Sequence, residues 1–284
     1  MAKLQPQKEL LQTYFVTRAL PTTWCPGCGC GIITQALVRA IHQSGIEKTK
    51  FAFVTGIGCN GFIPRYIDFD ELHVTHGRAP AYGTGLKLAR PDLTVILIQG
   101  DGDCFSIGGN HIIHAARRNI DLTAIVSNNF IYGRTGGQYS PMTPIGDFAT
   151  TAPYGMIEPA FDPCKIMEAA GASFVVRGTV ASPFQLATFI EKGIKHKGFS
   201  FIEIVNQCPV NYGRRNPERM GVTGPNMMKW LKDHTLPLEK ARGASLKELE
   251  DKVVTGIFVE KHTPEYFEGV QKIREKCQRN QSEI

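Results

Sequence analysis

From residue 31 to residue 208, short apolar runs that end in Gly, Asp or Asn turns alternate with stretches of helical periodicity, and this alternation constrains the fold more than any other feature. Gly31 to Gln43 carries Ile32, Ile33, Ala36, Leu37, Ala40 and Ile41 at helical spacing and stops at Ser44-Gly45. Phe51 to Thr55 is a short apolar run, and Ala79 to Leu88 spaces small residues as a closely packed helix does. Leu93 to Ile98 has the near-continuous apolar character of a strand buried on both faces, and it breaks at Gly100-Asp101-Gly102-Asp103. A helix from Asn110 to Arg118 leads to a strand from Leu122 to Ser127, which ends at Asn128-Asn129. Two further helices (164–170, 183–195) and two strands (173–178, 199–205) follow, the last ending in Gln207-Cys208-Pro209. The pattern predicts an α/β fold, a doubly wound and mainly parallel sheet with ligands at the carboxyl ends of its strands.

Two segments stand apart. Residues 132–163 are rich in Gly, Pro and Thr without periodicity, and a loop of that length is expected to cover a site. Residues 1–220 are expected to form the cofactor-binding domain, and 221–284 a C-terminal extension against a neighbouring subunit, with a strand at 253–259 and a charged helix at 264–278. There is no internal repeat.

The composition, 42% hydrophobic and 20% charged over 284 residues, excludes a disordered or fibrous chain. The net charge of +6 is spread along the sequence rather than gathered with aromatics into a stripe, so nucleic-acid binding is not implied. No apolar run approaches the roughly 18 residues of a membrane span, and Met1 to Leu11 has no signal-peptide core, so a soluble cytoplasmic protein is expected.

Asp101 and Asn129 each follow a buried strand and lie one helix plus one strand apart. A unit of that length returns the chain to the neighbouring strand end, where two oxygen ligands meet one hard cation and the glycines let a diphosphate approach the backbone. Magnesium diphosphate binding follows; the alternative is an ordinary Asp-Gly turn beside an Asn strand cap. The eight cysteines are unevenly placed: Cys25, Cys28 and Cys30 crowd Trp24-Cys25-Pro26-Gly27-Cys28-Gly29-Cys30-Gly31, while Cys59 and Cys208 sit in Gly58-Cys59-Asn60 and Gln207-Cys208-Pro209. One Cys-x-x-Cys pair with two isolated cysteines favours an iron–sulfur cluster, with structural zinc or a redox thiol pair as alternatives. On spacing alone Cys30 can replace Cys28 as a ligand; Cys104, Cys164 and Cys277 are read as plain thiols.

With both signals on the page, the chain resembles the β subunits of the 2-oxoacid:ferredoxin oxidoreductases, most closely the two-subunit 2-oxoglutarate type. The likeness runs through 25–29, Gly-Ile-Gly-Cys at 56–59, Thr-His-Gly-Arg-Ala at 75–79, 100–103, 128–129, Tyr-Gly-Arg-Thr-Gly-Gly-Gln at 132–138 and 207–209. It implies that Asp101, Asn129 and the Ile131 carbonyl hold Mg²⁺, and that Cys25, Cys28, Cys59 and Cys208 ligate a [4Fe–4S] cluster. It also implies that Ile57, Gly58, Cys59, Asn60, His76, Gly102, Asp103, Gly133, Arg134 and Thr135 surround thiamine diphosphate. His76 is a candidate catalytic residue, and Arg65 a candidate partner for a distal substrate carboxylate.

The same resemblance implies oxidative decarboxylation of a 2-oxoacid with coenzyme A to acyl-CoA and CO₂, two electrons passing singly through the cluster to ferredoxin in a reversible reaction. Only the diphosphate-binding half is present, so an α subunit is expected to bring the pyrimidine domain and its glutamate. Pyruvate, a branched-chain 2-oxoacid, or a non-redox thiamine enzyme with zinc are the rival readings.

Overall fold

A computed structural model describes residues 7–282, so the sequence reading of Met1 to Leu11 and the outer ends of the two proposed segments fall partly outside it. The chain runs through helices α1 (Gln7–Tyr14) and α2 (Cys30–Ser44), strands β1 (Phe51–Thr55) and β2 (Asp70–His73), helix α3 (Ala79–Ala89) and strand β3 (Thr94–Gly100). Helix α4 (Gly109–Arg117), strand β4 (Thr123–Asn128) and a small hairpin of β5 (Ile131–Tyr132) and β6 (Gln138–Tyr139) come next. Helix α5 (Pro163–Ala169), β7 (Phe174–Thr179), α6 (Pro183–Lys195) and β8 (Ser200–Val205) complete the alternation. The C-terminal part holds α7 (Pro217–Met220), α8 (Gly224–His234), β9 (Thr235–Pro237), α9 (Leu238–Ala241), α10 (Leu246–Leu249), β10 (Val253–Glu260) and α11 (Tyr266–Ser282).

Eight strands form one sheet in the order β2-β1-β3-β4-β8-β7-β10-β9. Every pairing is parallel except β7 with β10. Successive strand side chains point to opposite faces, so apolar residues at consecutive positions feed two cores. Ile96, Ile98, Ile125, Ile202 and Ile204 pack with Ile33, Leu37 and Ile41 of α2 and Leu186, Ile190 and Ile194 of α6. Val95, Leu97, Ala124, Val126 and Phe201 pack on the other face with Ile112, Ala115 and Ala116 of α4 and Met167 of α5. The doubly wound fold of the sequence analysis is the fold observed.

The C-terminal part is richer than its sequence pattern indicates. Strand β10 joins the main sheet antiparallel to β7, so this segment extends the sheet as well as following it. Helix α8 begins where Gly224-Pro225 looks like a turn: Thr223 caps it by accepting from Asn226 N, and proline suits the first helical turn. Strand β2 also escapes sequence reading, because Asp70-Glu71-Leu72-His73 is an exposed edge with no buried face to impose alternation.

One buried ionic group ties β10's neighbourhood together. On β7, Arg177 donates to Glu203 Oε2 on β8 and to Asp162 Oδ1, each at 2.6 Å, while Asp162 also caps α5. Glu203 is 1% exposed and accepts from Asn128 Nδ2 at 2.8 Å with its other oxygen. Removing the cation strands two carboxylates, one fully buried. Arg177→Met is therefore expected to lower stability by about 3–5 kcal/mol, read as a drop in the urea midpoint at unchanged m-value.

Candidate active site at the carboxyl edge of the sheet

Strands β3 and β4 are adjacent and in register Gly100↔Ser127, so the residues that follow them emerge side by side at the carboxyl edge. Asp101, Asn129 and Ile131 consequently line one cleft of about 400 Å³. Asp101 is 2% exposed, accepts a short hydrogen bond from Ser140 Oγ, and is pushed up to about 7, chiefly by burial. Among the described residues no cation pairs with this buried carboxylate, the chemistry a divalent ion satisfies. Asn128 is turned away to Glu203, which leaves the second asparagine facing the cleft. Gly102 allows the approach of Tyr132: a Cβ there would lie 2.4 Å from the ring, whose hydroxyl donates to Gly102 O at 2.9 Å.

Ile57, Gly58, Cys59, Asn60 and His76 form one wall of the same cleft, and Gly133, Arg134 and Thr135 another. Asp103 lies between them but spends its oxygens on the walls. Oδ1 accepts from Ile57 N at 3.1 Å and Gly77 N at 2.8 Å, and Oδ2 accepts from Gln99 Nε2 at 2.7 Å. His76 Nδ1 comes within 2.6 Å of Asp103 Oδ1 without hydrogen-bond alignment, so it is a close polar contact whose nitrogen has no aligned partner. Gly56 makes this packing possible, since a Cβ there would lie 1.9 Å from Asp103 Oδ2. Gly56→Ala is expected to cost about 1–3 kcal/mol of stability by denaturant titration, and to loosen the loop that Asp103 anchors.

The cysteine loop opens α2 and packs against three later segments. Gln207 Nε2 donates to Gly27 O at 3.0 Å, and Trp24 Nε1 to Cys59 O at 2.8 Å. Gly27, at φ +80°, meets Gly224 of α8 backbone to backbone: a Cβ on Gly27 would lie 2.9 Å from the Gly224 Cα. Burial and the charges of Cys28 and Cys208 push Cys59 up to about 12, and Cys208 is raised by burial against two backbone N–H donors. The four nominated thiols thus sense one another from three separate segments. They are not crowded as ligands of one ion. Among the described residues only Asp162, Cys164 and Glu203 bring three ligand atoms within 4.8 Å, a trio Arg177 already holds. Four thiolates about 2.3 Å from a single zinc would stand about 3.8 Å apart, so the wider set suits a multi-atom core. Asn206 Nδ2, a buried donor without a protein acceptor, lies against Gly29 in this loop.

Arg65 does not join the site. It is exposed on a short turn at 64–66 and outside the cleft walls, because its neighbours Pro64 and Tyr66 take the buried positions. The cation that does line the cleft is Arg134, stacked 4.6 Å above the Phe62 ring. Cys104 and Cys164 are buried and Cys277 is exposed. Ser140 is the residue the motifs miss, and nothing in its local sequence marks it; it reaches Asp101 only because the 132–163 segment folds back over the strand ends.

A family model described as thiamine pyrophosphate enzyme, C-terminal TPP binding domain, matches residues 56–204. The 2-oxoglutarate synthase subunit KorB of Methanocaldococcus jannaschii is 50% identical over 90% of this chain and 94% of its own. That of Methanothermobacter marburgensis is 49% identical over 88% of this chain and 87% of its own. The chain is a β subunit of the 2-oxoacid:ferredoxin oxidoreductase family. A solved 2-oxoglutarate:ferredoxin oxidoreductase from Magnetococcus marinus, with 2-oxoglutarate, coenzyme A and succinyl-CoA bound, superposes with a TM-score of 0.83 at 35% identity, covering 94% of this β subunit and 90% of that chain. Within the β subunit the thiamine diphosphate-binding match spans the edge where Asp101, Asn129 and Cys59 meet.

Proposed function

We propose that this β subunit, with an α subunit supplying the pyrimidine domain and its glutamate, converts 2-oxoglutarate and coenzyme A to succinyl-CoA and CO₂ while reducing ferredoxin, reversibly and in the cytoplasm. Among the described residues no helix is long and apolar enough to cross a membrane. Asp101, Asn129 and the Ile131 carbonyl would hold Mg²⁺ with the diphosphate, and Cys25, Cys28, Cys59 and Cys208 a [4Fe–4S] cluster. Thiamine diphosphate, held there, would supply carbanion and electron-sink chemistry for a 2-oxoacid. This chain's residues hold that chemistry in place: Asp103 fixes the Ile57 and Gly77 loops, His76 presents its ring to the cleft, and Arg134 offers a cation to a carboxylate. Residues 221–284 are assigned to the partner-facing extension, with α8 bracing the cysteine loop through Gly224.

One observation carries the redox reading. A Cβ on Gly133 would lie 3.4 Å from Cys208 Sγ, 3.9 Å from Cys59 Sγ and 3.9 Å from Asn129 Nδ2. Two nominated cluster ligands and a nominated Mg²⁺ ligand thus meet across one glycine, which supports direct electron exchange between the two sites. The relatives' names favour 2-oxoglutarate. The complex purified anaerobically with its α subunit is expected to reduce methyl viologen fastest with 2-oxoglutarate. Preference for pyruvate or a branched-chain 2-oxoacid would overturn the substrate, and a colourless complex would overturn the cluster.

A further inference from the structure

A fifth thiol stands inside the wall between the two sites. Cys30 is completely buried at the first position of α2, two residues after Cys28, and its Sγ donates to Asn60 Oδ1 at 3.1 Å. Asn60 is itself 3% exposed, adjoins Cys59 in sequence and lines the cofactor cleft. An amide whose oxygen accepts from a thiol must turn its nitrogen the other way. Here Nδ2 lies toward Gly100, 3.6 Å from where a Cβ on that residue would stand, at the start of the Gly-Asp-Gly turn. The hydrogen bond of this S–H is the one to Asn60, and Cys28 stands two residues earlier in the chain.

We propose that Cys30 is a positioning residue and not a cluster ligand: its S–H holds the Asn60 amide with the N–H₂ toward the cofactor cleft, so a thiol of the cysteine loop orders the wall of the diphosphate site. The inference rests on the cluster and diphosphate assignments above. Cys-x-x-Cys-x-Cys spacing leaves Cys28 and Cys30 equivalent; what distinguishes Cys30 is that its S–H is directed to a carboxamide in a fully buried setting.

The test uses Cys30→Ala and Cys30→Ser in the complete complex with its α subunit, purified anaerobically beside the parent. Two quantities are read: iron and sulfide per β subunit, and thiamine diphosphate affinity in the presence of Mg²⁺. Cys30→Ala is expected to keep the full iron content and to weaken thiamine diphosphate about fivefold, the effect of one hydrogen bond. Cys30→Ser, which restores a donor, is expected to recover part of that affinity. Loss of the cluster in both variants would make Cys30 a ligand and overturn the proposal. Unchanged affinity in Cys30→Ala would overturn it equally. Failure of the parent reading shows differently, as a parent complex without iron or without cofactor affinity.

Discussion

Asp101→Asn is expected to abolish thiamine diphosphate retention while leaving the iron–sulfur colour and raising the stability of the metal-free protein. Loss of a carboxylate proposed to ligate the cation directly should exceed the roughly 10–100-fold that second-layer changes cost, so affinity should fall by more than about 100-fold. The stability gain follows from linkage. In the metal-free fold Asp101 is raised from an ordinary 3.8 to about 7 by burial. A raised carboxyl binds its proton more tightly when folded, so the ionised form is a cost that is absent below pH 3.8, grows between pH 4 and 7, and is complete above 7. At about 1.36 kcal/mol per pH unit the limit is on the order of 4 kcal/mol, with the Ser140 hydrogen bond already included. Metal-free parent protein should therefore lose stability from pH 5 to 8 more steeply than Asp101→Asn, and Mg²⁺ with the cofactor should restore it in the parent alone. A variant that melts lower than the parent at pH 8, or that still retains the cofactor, would show that Asp101 is an ordinary structural carboxyl.

Asp101 and Asn129 were legible because a parallel sheet turns sequence separation into adjacency: one helix and one strand bring the chain back beside its starting edge, as the Gly100↔Ser127 register demonstrates. The same logic fails for Ser140. Its hydroxyl meets Asp101 only after an aperiodic segment folds back through contacts such as Phe148 N to Asn216 Oδ1 and Arg219 to Asp147, which join residues about 70 apart and leave no local pattern. Arg65 shows the limit of sequence proximity: it follows Cys59 closely, yet burial of Pro64 and Tyr66 leaves the arginine on the surface of this chain, outside the cleft lining. Spacing alone also could not separate Cys28 from Cys30, because the two differ in what surrounds them. The strand β10 was visible as an apolar run, but its antiparallel place beside β7, where the Arg177 guanidinium lies 5.3 Å from the Phe258 ring, is a long-range pairing that no periodicity encodes.

Cys208→Ala should produce the reverse of the Asp101 lesion: a complex that binds thiamine diphosphate with Mg²⁺ but has lost its visible absorption and most of its iron. The fold has reason to survive the change. The backbone carbonyl of Cys208 accepts from Tyr212 N at 3.1 Å and Gly213 N at 3.0 Å, and those bonds do not involve the sulfur. What the substitution removes is one thiol of a partly exposed set, the soft ligand proposed here for iron. Because Cys208 is not among the residues assigned to the diphosphate or its cation, the cofactor should stay within a few-fold of parent affinity, whereas viologen reduction should stop. The two lesions then dissociate one edge of the sheet into two functions. If Cys208→Ala kept its iron, the cluster would have another fourth ligand and the electron path across Gly133 would lose its anchor; if it lost both iron and cofactor, the two sites would be one cooperative unit rather than neighbours sharing a wall.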